Sequence, residues 1–159
     1  MRHLTAVGLL ALAGVAHAEA PGAAYFCREE FMGGLAFNSG SHEWEGGSFT
    51  TRRNFVLKLK PAGVQVQGQY SYDLVQVWVT PEGQSLPIEC LDLGKEVGEM
   101  DQITVPKNNI LRCVSSMTQY QFNRANNRFL TVYAYGYVNG ADNHDDTPYI
   151  SGGRCTKID

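Results

Sequence analysis

The chain has no apolar run long enough to cross a bilayer as a helix. Its most apolar segment, Leu4 to Val15, is shorter than the roughly 20 residues that a transmembrane helix needs. This segment follows a basic start and ends at the small-residue triplet Ala16-His17-Ala18, a pattern typical of a secretory signal peptide. We therefore expect cleavage of residues 1–18, and a single β domain of residues 19–159 in the periplasm or outside the cell, with no transmembrane segment.

Positive charge is also scarce. The chain has 13 Lys and Arg against 16 Asp and Glu, which gives a formal net charge of -3, and loss of Arg2 with the signal peptide makes the mature chain more acidic. The basic residues form no cluster, because the pairs Arg52-Arg53 and Lys58 with Lys60 are isolated. Nucleic acid and anionic membrane surfaces are therefore not expected as partners.

Histidine is nearly absent from the mature chain, which keeps only His42 and His144. Zinc needs three or four ligands, so a zinc site would require both histidines, nearby carboxylates and two loops that meet. Serine-hydrolase chemistry would require a serine beside one of these histidines, and the chain has no G-x-S-x-G motif. The glycine-rich segment 33–47 has no lysine after a G-x-x-x-x-G pattern, which excludes a phosphate-binding loop there.

Four cysteines lie in the mature part of the chain, and none belongs to a C-x-x-C motif. An even number of cysteines in an exported chain favours two disulfides over free thiols or a metal site. Three pairings are available. We expect Cys90 to pair with Cys113, which would join neighbouring strands, and Cys27 to pair with Cys155, which would join the two ends of the domain.

Apolar residues alternate with polar ones along most of the chain, and no segment has the three-and-four spacing of a helix. Residues 55–60 and 63–72 are predicted to form a hairpin with a turn at Pro61-Ala62-Gly63, and the polar segment 123–127 is predicted to turn between two further strands. About seven to nine short strands predict an all-β fold with little helix. We expect a small antiparallel β-barrel, with a β-sandwich as the alternative.

The most polar segment of the chain, residues 139–148, contains a group of oxygen-bearing side chains that would suit calcium. The candidate ligands are Asp142, Asn143, Asp145 and Asp146. Their spacing differs from that of an EF-hand loop. The alternative is a solvated turn in which Asp and Asn side chains bind their own backbone.

Carboxylate pairs supply the candidates for acid and base catalysis on glycans. Glu29 and Glu30 would point to opposite faces of an extended strand, so they cannot both reach one cleft. Glu43 and Glu45 can share a face and flank Trp44, although an exposed strand edge explains them equally well. A hydrolase using Glu43, Glu45 or Asp142 is therefore an alternative function.

Aromatic residues supply the candidates for ligand binding. Tyr133, Tyr135 and Tyr137 alternate along one predicted strand, and Trp44 is expected to face Phe37 across a hairpin turn. Such side chains could stack on sugars or line a cavity for an apolar ligand. The alternative is that the tyrosines fill the interior of the barrel as ordinary packing.

The segment Ser151-Gly152-Gly153-Arg154 resembles the Ser-Gly loop of one group of periplasmic lysozyme inhibitors, but the tyrosine that follows in that group is missing here. The resemblance implies an enzyme inhibitor as a further alternative. From the residues themselves we expect a non-enzymatic binding or structural module of the bacterial envelope. Its partner would be a protein, a glycan or a small ligand, and calcium is the one cofactor that the sequence suggests.

Overall fold

A computed structural model describes residues 22–50, 53–93, 102–140 and 142–159. The predicted signal peptide, residues 1–18, lies outside these ranges, as does most of the weakly patterned stretch after Leu93. Within the described ranges no helix is long and apolar enough to span a membrane. The only described helix is a single 3₁₀ turn, Tyr137–Asn139.

Ten strands make up nearly all of the regular structure, which confirms the predicted all-β class. In chain order they are β1 (Ala23–Asn38), β2 (Glu43–Ser48), β3 (Phe55–Gln67), β4 (Tyr70–Pro81), β5 (Ile88–Cys90), β6 (Ile103–Val105), β7 (Ile110–Ser115), β8 (Thr118–Asn123), β9 (Arg128–Tyr133) and β10 (Tyr149–Lys157).

The strands form one antiparallel sheet in the order β5-β4-β3-β1-β10-β9-β8-β7, with β2 paired to β1 and β6 paired to β4. The ladder is not continuous around the sheet. Its two edges meet at one bridge, where Leu91 and Val114 exchange backbone hydrogen bonds of 2.8 Å in both directions. Closure into a barrel, rather than a sandwich, therefore remains a prediction.

Two disulfides hold the sheet together. Cys90 joins Cys113 beside the bridge between the two edges, and Cys27 joins Cys155, its direct partner in the β1–β10 register. This is the pairing preferred from the sequence. Each bridge closes a loop of the unfolded chain, which stabilises the fold by about 2–4 kcal/mol.

The apolar core lies between the inward-facing residues of the sheet. In β3 and β4 these are the odd-numbered positions, and the register places Leu57 opposite Val79 and Leu59 opposite Val77. All four side chains are at most 5 % exposed, so the interior between these parts of β3 and β4 is filled. The alternation of residues 55–60 in the sequence agrees with the burial of Leu57 and Leu59.

The predicted turn at Pro61-Ala62-Gly63 is wrong. β3 continues through these residues with an irregularity in its register between Pro61 and Gly63, and the chain turns instead after Gln67, where Gly68 has a φ of 61°. A bulge accommodates a proline inside a strand because its extra residue is left out of the ladder.

The hairpin predicted at residues 123–127 is confirmed, but the strand that follows is shorter than expected. β9 ends at Tyr133, so Tyr135 and Tyr137 do not continue it. Gly136 has a φ of 98° and lies so close to the Asp146 backbone that a Cβ there would overlap the Asp146 carbonyl oxygen. The chain therefore turns away from the sheet at a glycine that the alternating pattern did not distinguish.

The segment that resembles an inhibitor loop belongs to a strand. Ser151-Gly152-Gly153-Arg154 lies in the middle of β10, and Ser151 is fully buried, so it cannot act as an exposed inhibitory loop. The glycine pairs 33–34 and 46–47 lie within β1 and β2. The predicted hairpin between these strands is confirmed, with Phe37 opposite Trp44.

Candidate functional site

One end of the interior is polar, in contrast to the apolar core at the other end. Glu29 of β1 points inward and is 3 % exposed. The Ser151 hydroxyl donates a hydrogen bond to Glu29 Oε1, and the Arg53 backbone N–H donates to Glu29 Oε2 at 2.6 Å. A buried carboxylate is costly unless its oxygens are hydrogen-bonded, and here both of them are.

A third residue extends this network. The Thr131 and Ser151 hydroxyl oxygens are 2.5 Å apart, and both side chains are buried. A hydroxyl has one proton to give, and Ser151 gives its proton to Glu29. Thr131 is therefore the donor to Ser151, and the three side chains form a chain with one direction, from Thr131 through Ser151 to Glu29.

A cavity of about 450 Å³ opens at this polar end of the sheet. Its volume lies within the range typical of small-molecule sites. The residues around it come from both halves of the sheet and from the loop before β10. They are Glu29, Arg53, Asn54, Phe55, Pro81, Gln84, Ile88, Ser116, Thr118, Tyr120, Thr131, Tyr133, His144, Asp145, Thr147 and Tyr149.

Two tyrosines form a stacked pair in the cavity wall. Tyr133 and Tyr149 are direct partners in the β9–β10 register, and their rings stack with centroids 5.6 Å apart. The Arg53 guanidinium lies over the Tyr149 ring, 5.1 Å from the ring centroid. Tyr149 is therefore held in the cavity wall by contacts with both Tyr133 and Arg53.

The hydroxyl groups of two cavity tyrosines are held in the protonated form. Burial raises the pKa of Tyr120 to about 12, with smaller contributions from Tyr149 and Glu29. The hydrogen bond that Tyr133 donates to Asp146 raises the pKa of Tyr133 to about 12. The Tyr133 hydroxyl is thus committed within the protein, whereas the Tyr120 hydroxyl has no hydrogen-bond partner in the part of the chain that the structure describes.

Arg53 supplies the positive charge of the cavity wall. Its guanidinium lies 3.4 Å from the Tyr149 hydroxyl, which it contacts as a donor. Across the described ranges no carboxylate lies within 4 Å of it, because the ion pairs there are Arg124 with Asp73 and Arg154 with Glu30. The guanidinium therefore keeps donors that are free to bind a ligand.

The four aromatic residues predicted to bind a ligand are separated by the structure. Only Tyr133 lines the cavity. Tyr135 packs against Tyr133 with ring centroids 5.6 Å apart but is largely exposed. Trp44 packs on Phe37 and meets the edge of Tyr137, so these residues join the β1–β2 hairpin to the loop before β10.

The four predicted calcium ligands do not form a common group. Three of them accept hydrogen bonds from other residues of the protein. Asp142 accepts a hydrogen bond from Trp44 Nε1 at 2.8 Å, Asn143 accepts from the backbone N–H of Asp145, and Asp146 accepts from Tyr133. These bonds point to three different partners. Within the described residues no three His, Cys, Asp or Glu side chains lie together as a metal site.

The structure does bring a serine to a histidine. Ser39 Oγ lies 2.8 Å from His144 Nε2, and both side chains are exposed. No carboxylate of the described chain bonds the other ring nitrogen. The backbone N–H groups of Gly40 and Ser41 both donate to Asn38 Oδ1, so they are not free to stabilise an oxyanion.

The predicted hydrolase carboxylates lie away from the cavity. Glu43 and Glu45 are exposed on β2, and Glu45 accepts a hydrogen bond from Asn38. Glu29, which lines the cavity, was assigned only as one of a pair on opposite faces. That assignment agrees with the structure, where Glu29 is buried while Glu30 is exposed and pairs with Arg154.

Sequence reasoning did not identify the polar end of the interior. Its only signal is a set of polar residues at positions where the alternation places inward-facing side chains. Glu29 continues the series Tyr25 and Cys27, and Thr131 lies between the inward-facing Phe129 and Tyr133. Such a break in an apolar series marks a buried polar group or a cavity.

An apolar groove of about 570 Å³ lies beside the cavity, on the outer side of β1, β9 and β10. Tyr133 and Tyr149 border both features. Phe31, Val138 and Ile150 line the groove and are more than half exposed. The two tyrosines therefore separate a polar cavity from an apolar outer surface.

No protein-family model, curated protein or solved structure matches this chain.

Proposed function

We propose that the protein is a non-enzymatic binding module whose small ligand occupies the polar cavity. The observation that carries this proposal is the contrast between the two ends of one interior. At one end apolar side chains fill the space between the strands, and at the other end polar side chains surround about 450 Å³ that they leave open. A fold has no need of such a cavity for stability, since unfilled space weakens packing.

The arrangement of acidic groups supports binding rather than hydrolysis. Among the described residues, the carboxylates that line the cavity are Glu29 and Asp145. Both oxygens of Glu29 accept hydrogen bonds from the protein, which leaves Asp145 without a free partner for paired acid and base catalysis. No described carboxylate orients the Ser39–His144 pair, and the nearby N–H groups of Gly40 and Ser41 are bonded to Asn38, so the features that acyl transfer uses are not found in the described residues.

We also propose that this module acts in the periplasm or outside the cell. Two disulfides, Cys27–Cys155 and Cys90–Cys113, support this location, because disulfides persist mainly in oxidising compartments. The leader-like pattern of residues 1–18 points the same way.

A screen of small molecules tests the binding proposal. Each compound is added to the protein, and the change in melting temperature is measured. A ligand that binds only the folded state raises the melting temperature of the oxidised protein. Two variants block the cavity from its rim, Thr147→Trp and Gln84→Trp, and Thr156→Trp places the same side chain on the far end of β10 as a matched control.

We expect at least one compound to stabilise the wild-type protein and the Thr156→Trp variant but neither rim variant. Circular dichroism establishes that all three variants are folded before the comparison is made. Hits that stabilise the rim variants as strongly as the wild type would place the ligand elsewhere and overturn the proposal.

A further inference from the structure

The lining of the cavity is rich in hydroxyl and amide groups. Thr118, Thr147 and Tyr120 contribute hydroxyls, and Asn54 and Gln84 contribute amides. Each hydroxyl can donate and accept, and each amide carries two donors and an acceptor. Groups of this kind match a ligand whose own groups both donate and accept hydrogen bonds, which is the chemistry of a polyol.

The charges at the cavity oppose each other. Among the described residues that line it, Arg53 carries the only formal positive charge, while Glu29 and Asp145 are acidic. An anion would meet the acidic pair, and a cation would meet the guanidinium. A neutral ligand avoids both penalties and can still accept hydrogen bonds from Arg53.

Tyr120 provides a donor that no described residue accepts. Its ring packs edge-on against Phe55 with centroids 5.4 Å apart, so the side chain is fixed in position. Its hydroxyl is protonated across the physiological range, as in any tyrosine, and burial raises the pKa of Tyr120 further, to about 12. A rigid, protonated phenol beside a cavity is suited to bond a ligand oxygen.

We infer that the cavity takes a small neutral polyhydroxylated molecule of the monosaccharide class, hydrogen-bonded by Tyr120, Arg53 and the surrounding hydroxyls. This inference rests on the proposed function and names the ligand class of the same site. Recognition depends on hydrogen bonds, since the Tyr149 ring already packs against Tyr133 and Arg53.

Titrations of the oxidised, isotope-labelled protein followed by nuclear magnetic resonance test the ligand class. The neutral probes are glucose, galactose and N-acetylglucosamine. The charged probes are acetate, inorganic phosphate, ethylammonium and glycine. We expect saturable shifts in the amide signals of Thr118, Thr131 and Thr147 with at least one sugar at millimolar concentration, and none with the charged probes.

Removal of single hydroxyls tests the contacts. Tyr120→Phe and Thr147→Val keep the shape of each side chain, and Tyr72→Phe removes a hydroxyl outside the cavity lining as the matched control. We expect each cavity variant to bind the sugar about two- to tenfold more weakly, as loss of one neutral hydrogen bond predicts. The control should bind it unchanged.

The outcomes separate the two proposals. Saturable binding of acetate, phosphate, ethylammonium or glycine at the cavity would overturn the neutral ligand class while leaving a binding module in place. Unchanged sugar affinity in both hydroxyl variants would overturn the inference that the sugar is held by the hydroxyls of the cavity. If neither these probes nor the library compounds bind at the cavity, the proposed function also fails.

Discussion

Replacing Ser151 with alanine tests the buried chain of hydrogen bonds directly. The Ser151 hydroxyl donates to the Glu29 carboxylate and accepts from Thr131, and its side chain is fully buried. Ser151→Ala removes both bonds and adds no bulk. It leaves one carboxylate oxygen and one hydroxyl proton buried without a partner, which is the costly way to lose a hydrogen bond.

The size of the effect follows from these two bonds. A hydrogen bond to a charged group contributes about 1.5–3 kcal/mol and a neutral one about 0.5–1.5 kcal/mol. We therefore expect Ser151→Ala to lower the free energy of unfolding by about 2–4 kcal/mol. Ser71→Ala, at an exposed position of β4, should lower it by less than about 0.5 kcal/mol.

Thr131→Val makes the test sharper because its effect should depend on the background. In the wild type it removes the donor to Ser151 and costs about 1 kcal/mol. In the Ser151→Ala background it removes a hydroxyl that has already lost its acceptor, so the change should be neutral or stabilising.

Urea denaturation with both disulfides intact, followed by tryptophan fluorescence, measures these free energies. A Ser151→Ala protein whose unfolding free energy lies within about 0.5 kcal/mol of the wild type would refute the reasoning. Additive effects of Ser151→Ala and Thr131→Val would refute the hydrogen bond between the two hydroxyls.

Two further predictions concern β10 and the tyrosines. Gly153→Ala should destabilise the protein by about 3 kcal/mol or more, since its Cβ would overlap a backbone carbonyl oxygen of β1, whereas Gly46→Ala, with no atom within 4 Å, should change stability little; equal urea midpoints would contradict this. Ultraviolet titration should find that Tyr120 and Tyr133 ionise near pH 12 rather than 10, each late transition disappearing in the matching Phe variant. Because the unfolded chain releases these protons first, their contribution to stability is present below pH 10 and is lost as the pH rises towards 12; a constant unfolding free energy across that range would contradict it.

The fold class could be predicted because alternation over several residues is a strong signal. In residues 55–60 the alternation separates Leu57 and Leu59 from the lysines, and the structure buries both leucines. The turn at residues 123–127 was equally clear, because its polar residues separate two alternating runs. These signals are local, and neighbouring strands in this sheet are mostly neighbours in the chain.

The errors came from residues whose role depends on a neighbouring strand. The segment Pro61-Ala62-Gly63 has the composition of a turn. The β3–β4 ladder is irregular there, and β3 continues through the segment. Gly136 ends the run of tyrosines only because the Asp146 backbone packs against it. Neither contact could be predicted from the sequence, because each joins residues that are distant along the chain.

The candidate site was missed for a related reason, which is the extra residue in β1. The register moves from Glu29 opposite Gly153 to Phe31 opposite Gly152, so Glu30 has no partner and the inward face changes from odd to even positions. Strict alternation would have carried Phe31 into the interior next to Glu29 and filled the space that is now polar. The glycine pair of β10 permits this bulge, because a Cβ at either position would overlap β1, and Ser151 directly before the pair caps the carboxylate that the bulge leaves inside. A short segment of β10 therefore determines both the shape of the cavity and the hydrogen bonding of the carboxylate that lines it.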